Sequence, residues 1–371
     1  MSRRKIHIIV LLMIFSSCVK PFNPAIDNPI TNYLVIEGQI ISGDETTIKL
    51  SRTRPVNDSA TTSPESDAQV VIESGSGQIY SFQPVSDGVY RSQGAQVNSS
   101  DKYRLRIVAG GKTYLSDFVD VKQTPDIDSL SWIQDGDINI YVNTHDPSNN
   151  TRYYRWEYIE TYEYHAAYYS YLDFRNGELV FLEPEEYREI CYTTNNSSAI
   201  LLGTTTALQN DIVSMAPIIS IPNDNSKISV RYSILVKQYA LNTAGYNYWQ
   251  LIKQNSQPNG DIFDPQPSQL YGNIHCVENP DEPVIGFVNA SSVKEKRLFI
   301  RWGELNERTE IDNSGLCRET FVDRQDVAKF LSDGAKLPAY ATGNGSIIAI
   351  ANAVCVDCRL RGGVTQKPSF W

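Results

Sequence analysis

In KYRLRIV (102–108), Tyr103, Leu105 and Ile107 point one way while Arg104 and Arg106 point the other. A period of two belongs to a strand with one buried face. The same alternation recurs from Tyr33 to Val121 in YLVIEGQII, TTIKLSR, AQVVIES, QIYSF, GVYRS and KTYLSDFVDV. Turn formers separate these runs: Ser42-Gly43-Asp44, Ser74-Gly75-Ser76-Gly77, Ser86-Asp87-Gly88 and Gly110-Gly111. Two glycines between two strands suit a tight hairpin, because both central positions need positive φ. About seven short strands at this spacing predict a β-sandwich of immunoglobulin or fibronectin type. Residues 33–125 are assigned to it, with SRTRPVNDSATTSPESD (51–67) as a polar surface loop.

QTPDID (123–128), with Pro125 at its centre, reads as a linker. Residues 126–371 then form a larger β-rich domain with a few short helices, so the fold class is mainly β. INIYV (138–142), TRYYRWEYIETYEY (151–164), ISVRYSILVKQYAL (228–241), RLFIRW (297–302) and SIIAIANAVCV (346–356) are its strands. TAGYNYWQLIKQN (243–255) is a helix with Tyr248, Trp249 and Ile252 on one face. DRQDVAKFLSDGA (323–335) is another, capped by Asp323, with Val327, Phe330 and Leu331 facing the core. PEEYRE (184–189) makes one turn with Pro184 at its first position.

The chain begins with Arg3, Arg4 and Lys5, then a nearly unbroken apolar run from Ile6 to Phe15, then Ser16-Ser17-Cys18. Basic start, short apolar stretch and small residues make a secretory signal. The cysteine at the cut site gives it the form of a bacterial lipoprotein signal: residues 1–17 are removed and the Cys18 thiol carries lipid. Several acyl chains, palmitate among them, exceed the two-signal threshold for stable anchoring. Residues 18–32, with three prolines, read as a stiff spacer. The net charge is −10 and becomes more negative when the three basic residues leave. So acidic a body is unsuited to nucleic acid, which is bound through Lys/Arg patches.

Beyond Cys18 lie Cys191, Cys276, Cys317, Cys355 and Cys358. Zinc needs four ligands, usually two close pairs, and here there is one, with His145, His165 and His275 scattered. A thioredoxin-like pair needs a βαβ setting, and the surroundings are β. Outside the reducing cytosol, structural disulfides are the expected chemistry, with free or transiently paired thiols as the alternative. Five is odd, so one thiol is left over. The pairing stays open; the working expectation joins one tail cysteine to Cys317, closing a loop of about 40 residues. No metal or other cofactor is called for.

YYRWEYIETYEYHAAYYSY (153–171) holds eight Tyr and one Trp in nineteen residues. Tyr154, Trp156, Tyr158, Tyr162 and Tyr164 share one strand face, with Arg155, Glu157, Glu163 and His165 on the other. Aromatic faces of this kind ordinarily pack into a core. After the alternation breaks, His165, Tyr168, Tyr169 and Tyr171 are the candidate surface for a glycan, peptide or protein partner. Catalytic signatures are missing: no Gly-x-Ser-x-Gly elbow, Walker loop or His-Glu-x-x-His. Ser291-Ser292-Val293-Lys294 matches Ser-x-x-Lys but lacks its companion motifs and stands before a strand. The chain is therefore expected not to be an enzyme. Asp58-Ser59-Ala60 and Asp128-Ser129-Leu130 resemble short O-glycan acceptor sites.

LVIEG (34–38), RYSILVKQYAL (231–241), FDPQPSQLYGNIHCV (263–277), PVIGF (283–287), KRLFI (296–300) and KPSFW (367–371) together resemble one family. It is a family of Bacteroidota outer-membrane lipoproteins catalogued as a domain of unknown function. Its members are commonly encoded beside TonB-dependent receptors. The resemblance implies a lipid-anchored outer-membrane accessory protein, a non-enzymatic partner or cap of such a transporter, assisting ligand capture. The alternative is an adhesive or envelope-structural lipoprotein acting without a transporter. Val19-Lys20-Pro21 follows the lipid cysteine where surface-exposed lipoproteins of this phylum often carry acids, so both faces of the membrane stay open.

Overall fold

The computed structural model describes residues 32–54, 63–92, 95, 97–256, 272–308 and 316–371. The leader, Cys18, residues 19–31, Asp58-Ser59-Ala60 and most of FDPQPSQLYGN lie outside the described residues. The fold is mainly β, in several sheets with a few short helices.

The alternating runs of the first region become strands in two facing layers. Leu34–Gly38, Thr46–Arg52 and Val89–Ser92 pair in that order. Gln69–Ser74, Lys102–Ala109 and Lys112–Ser116 form the other layer. Strand Ile79–Ser86 turns the corner, pairing with Gln69–Ser74 through its first residues and with Val89–Ser92 through its later ones. Tyr103, Leu105 and Ile107 are buried against Leu34, Ile48 and Leu50. The outward Arg104 and Arg106 both meet Glu73. Gly110 and Gly111 make the predicted hairpin at φ 58° and 76°.

Residues well along the later region return to complete this core. Ile274–Cys276 pairs with Lys112–Ser116, and Ile274, Cys276, Val284, Val288 and Ala290 pack inside. The long strand Ala290–Arg301 then joins the two regions. Its first residues run parallel to Ile40–Ser42 and Val119–Lys122, and the rest pairs with Arg231–Ala240. The linker is fastened too: Thr124 donates to Ser292, and Gln238 Nε2 donates to the Pro125 carbonyl.

The second region is again two layers. Ile127–Asp135, Asp137–His145 and Ile212–Ile221 form one. Tyr153–His165, Arg231–Ala240 and Ala290–Arg301 form the other, with Ile190–Asn196 and Leu201–Thr204 at its edge. Tyr154 and Trp156 stack between them beside Ile140, Tyr232 and Ile234. The Trp156 indole N–H donates to Gln238 Oε1 at 2.8 Å, so burying it strands no donor.

A third module is built from an excursion out of this sandwich and from the tail. Hairpin Leu172–Arg175/Glu178–Phe181 stands beside a sheet ordered Thr320–Asp323, Ile347–Asn352, Lys336–Thr342. Cys317 bonds to Cys355 within it, as expected for one tail cysteine, and Cys191 to Cys358 ties it to the sandwich edge. Cys276 is the thiol left over, buried in the first core. Helix Thr243–Ser256 lies where expected. The predicted helix over 323–335 is broken into a 3₁₀ turn, Arg324–Asp326, and a short helix, Ala328–Leu331. Val327 and Leu331 are buried there, but Phe330 is 44% exposed, because so short a helix turns only a narrow face inward. Asp323 caps by position without a side-chain hydrogen bond. Pro184–Glu186 is the single turn expected.

Candidate functional site

Where the two sandwiches meet, their outer faces and helix Thr243–Ser256 enclose a cleft of about 660 Å³. Strand alternation decides what faces it. On Leu34–Gly38 the even residues enter the first core, so Val35 and Glu37 look outward, Glu37 opposite Lys49. On the second sandwich the outward residues line up across three strands. Glu157, Lys237 and Glu295 form one cross-strand row, and Arg155, Tyr239 and Val293 the next. Lys237 Nζ lies 2.7 Å from Glu295. Glu157 is ion-paired with Arg155 and accepts from the Tyr239 hydroxyl.

Arg155 is the centre of this wall. Its guanidinium lies 4.0 Å from the Trp249 ring centroid and 5.6 Å from that of Tyr239. Burial draws its pKa down to about 10, so it stays charged at neutral pH. Burial likewise raises Tyr239 and Tyr248 to about 12, keeping both phenols protonated. Trp249 reaches Arg155 because the helix packs against the same strand, with Tyr246 on Tyr153 at 4.8 Å.

Gln39 sits between the two short strands of the first wall. Gly38 makes that break possible: its φ is +132°, and a Cβ there would lie 2.6 Å from the Thr47 carbonyl oxygen. Gln39 is only 7% exposed, yet neither end of its amide finds a hydrogen-bond partner among the described residues. The Trp249 indole nitrogen is in the same condition. Buried polar groups are nearly always satisfied. Of the several buried side-chain atoms without partners among the described residues, those of Gln39 and Trp249 are the ones that line the cleft.

The surface expected at 165–171 is distributed differently. His165 ends its strand, exposed, against Glu163 at 2.9 Å. Tyr168 donates its hydroxyl to the Cys317 carbonyl, and Tyr171 stacks on Phe181. Tyr169, exposed, sits edge-on to Tyr187 at 5.4 Å. Tyr168 and Tyr171 pack into the third module, and none of the four lines the cleft. The strand-borne aromatics Tyr154, Trp156, Tyr158 and Tyr162 pack on the second core.

Cys355 and Cys358 are bonded to different partners rather than to each other. Among the described residues, no three His, Cys, Asp or Glu side chains gather as a metal site would require. No described helix is long and apolar enough to cross a membrane.

Fold and cleft together define a tandem β-sandwich protein with a pocket at its joint. The chain belongs to the DUF4249 family, a domain of unknown function, whose model matches residues 19–297. No curated protein matches it. Among solved structures, a two fibronectin type-III domain segment from chicken tenascin is similar at 16% identity and TM-score 0.16, over 56% of this chain and 90% of its own. A biofilm-associated protein's BSP domain is similar at 7% identity and TM-score 0.15, over 74% of this chain and 60% of its own. At these scores the fold rests on its own strand pairing.

Proposed function

We propose that this protein is a non-enzymatic ligand-binding lipoprotein of the outer membrane, tethered through Cys18 and partnered with a TonB-dependent receptor. The observation that carries the binding role is the joint cleft, with the Gln39 amide unpartnered in its wall. Arg155, Glu157, Lys237 and Glu295 are committed to ion pairs there, an arrangement suited to holding a ligand rather than attacking one. Ligand capture, assigned on sequence to residues 165–171, passes to the cleft. The anchor rests on the Arg3–Cys18 signal, and the receptor on the family resemblance. Tethering raises the effective concentration of cleft and receptor to roughly millimolar, so each contact can be weak.

The test is affinity purification of the tagged protein from detergent-solubilised outer membranes. The proposal expects a TonB-dependent receptor to co-purify, and Cys18→Ser to move the protein into the soluble fraction. Purification alone, with an envelope defect on deletion that does not depend on any receptor, would favour the adhesive or structural alternative. Continued membrane association of Cys18→Ser would place the anchor elsewhere.

A further inference from the structure

We infer that the cleft takes a neutral saccharide of one or two rings, whose neighbouring hydroxyls bridge the two ends of the Gln39 amide. This rests on the reading of the cleft as a binding site. Its volume of about 660 Å³ lies within the usual range of small-ligand pockets.

Charge comes first. Glu157 is matched by Arg155, Glu295 by Lys237 and Glu45 by Arg91. Glu37 stands opposite Lys49 in the sheet register. Asp44 also lines the cleft and is in no ion pair among the described residues, so the lining leans negative. An anion would have to break one of these pairs and leave a partner uncompensated, which is costly in a half-buried site. A neutral ligand leaves them intact.

Hydrogen bonding narrows the class. Gln39 offers one acceptor and one donor side by side, both without partners among the described residues. Adjacent ring hydroxyls meet that pair, one donating to Oε1 and the other accepting from Nε2. They do so whichever way the amide is turned. The Trp249 N–H adds a donor for a third hydroxyl oxygen. Tyr248 and Phe287, 5.3 Å apart, supply aromatic surface for the C–H face of a ring.

The experiment uses the full-length lipidated protein in a polyoxyethylene detergent, since glycoside detergents would compete. Tryptophan fluorescence and calorimetry follow titration with glucose, galactose, mannose, N-acetylglucosamine, maltose, cellobiose, lactose and chitobiose. A capped trialanine and inorganic phosphate are the contrasting probes. At least one sugar is expected to saturate, and Gln39→Leu to weaken it about tenfold or more. Trp249→Phe, which keeps a ring over Arg155, is expected to weaken it by a smaller factor. Saturation by the peptide or phosphate but by no sugar overturns the saccharide and leaves the cleft as a binding site. No saturation by any probe overturns both. Sugar binding that is indifferent to Gln39→Leu, in protein whose melting temperature has not fallen, overturns the role given to Gln39.

Discussion

The first sandwich and the C-terminal module hold themselves together by different means. The sandwich closes on one large apolar cluster running from Leu34 to Ala290, and its only described cysteine, Cys276, is buried and unpaired. The module has two small clusters, around Ile348 and around Ala349, and both disulfides. A small unit buries too little apolar surface to offset its chain entropy, and covalent links make up the difference. The contrast explains why the disulfides gather at one end of the molecule. Where the core suffices, a thiol stays a thiol.

The sharpest way to break this comparison is to remove the links. Serine at Cys191 and Cys358, which lie 167 residues apart, should cost about 5 kcal/mol on the chain-entropy estimate. Serine at Cys317 and Cys355, 38 apart, should cost about 4 kcal/mol. Hydrogen exchange should then rise across 316–361 while strand Lys102–Ala109 stays protected; equal loss in both would make the molecule one cooperative unit. In the second sandwich, Trp156→Ala should cost roughly 3–5 kcal/mol through the cavity it leaves, read by chemical denaturation. A loss below about 1 kcal/mol would mean the core relaxes around it.

Acid should separate the regions more gently. In the module, burial opposes ionisation of Asp173 and Asp357, but hydrogen bonds and charges from Arg188, Arg175 and Arg359 win and hold both carboxyls below the usual value. A carboxyl depressed in the folded state adds stability above its unfolded pKa of about 4, lost as pH falls through the lower folded value. Glu73 does the same in the first sandwich, with a large core behind it. The module should therefore open first below about pH 4, and Asp357→Asn should flatten that dependence in exchange measurements. The smallest effect is chemical: under denaturing, non-reducing conditions Cys276 should be the thiol that labels. Labelling of four or five would refute the disulfides.

Alternation made the first sandwich legible residue by residue, because a sheet with one wet face writes its register into the chain. It also placed Arg155 and Glu157 on the face that proves to line the cleft. It did not show that residues 272–290 return to the first core, since a pairing between distant segments leaves no periodic trace. The tyrosines at 168, 169 and 171 stood out by composition alone. Composition does not separate a hydroxyl that fastens Cys317 from one that meets a ligand. Gln39 gave almost no signal: one polar residue after a glycine in an apolar run, whose meaning lies in what it fails to touch.

That residue offers the most direct measurement. If its amide is an orphan held for a ligand, Gln39→Leu removes a buried unsatisfied group costing about 1–3 kcal/mol. The empty protein should then melt higher by roughly 2–4 °C for each kcal/mol recovered in a unit of this size. A lower melting temperature would show that the amide is already bonded and that the cleft is a structural seam.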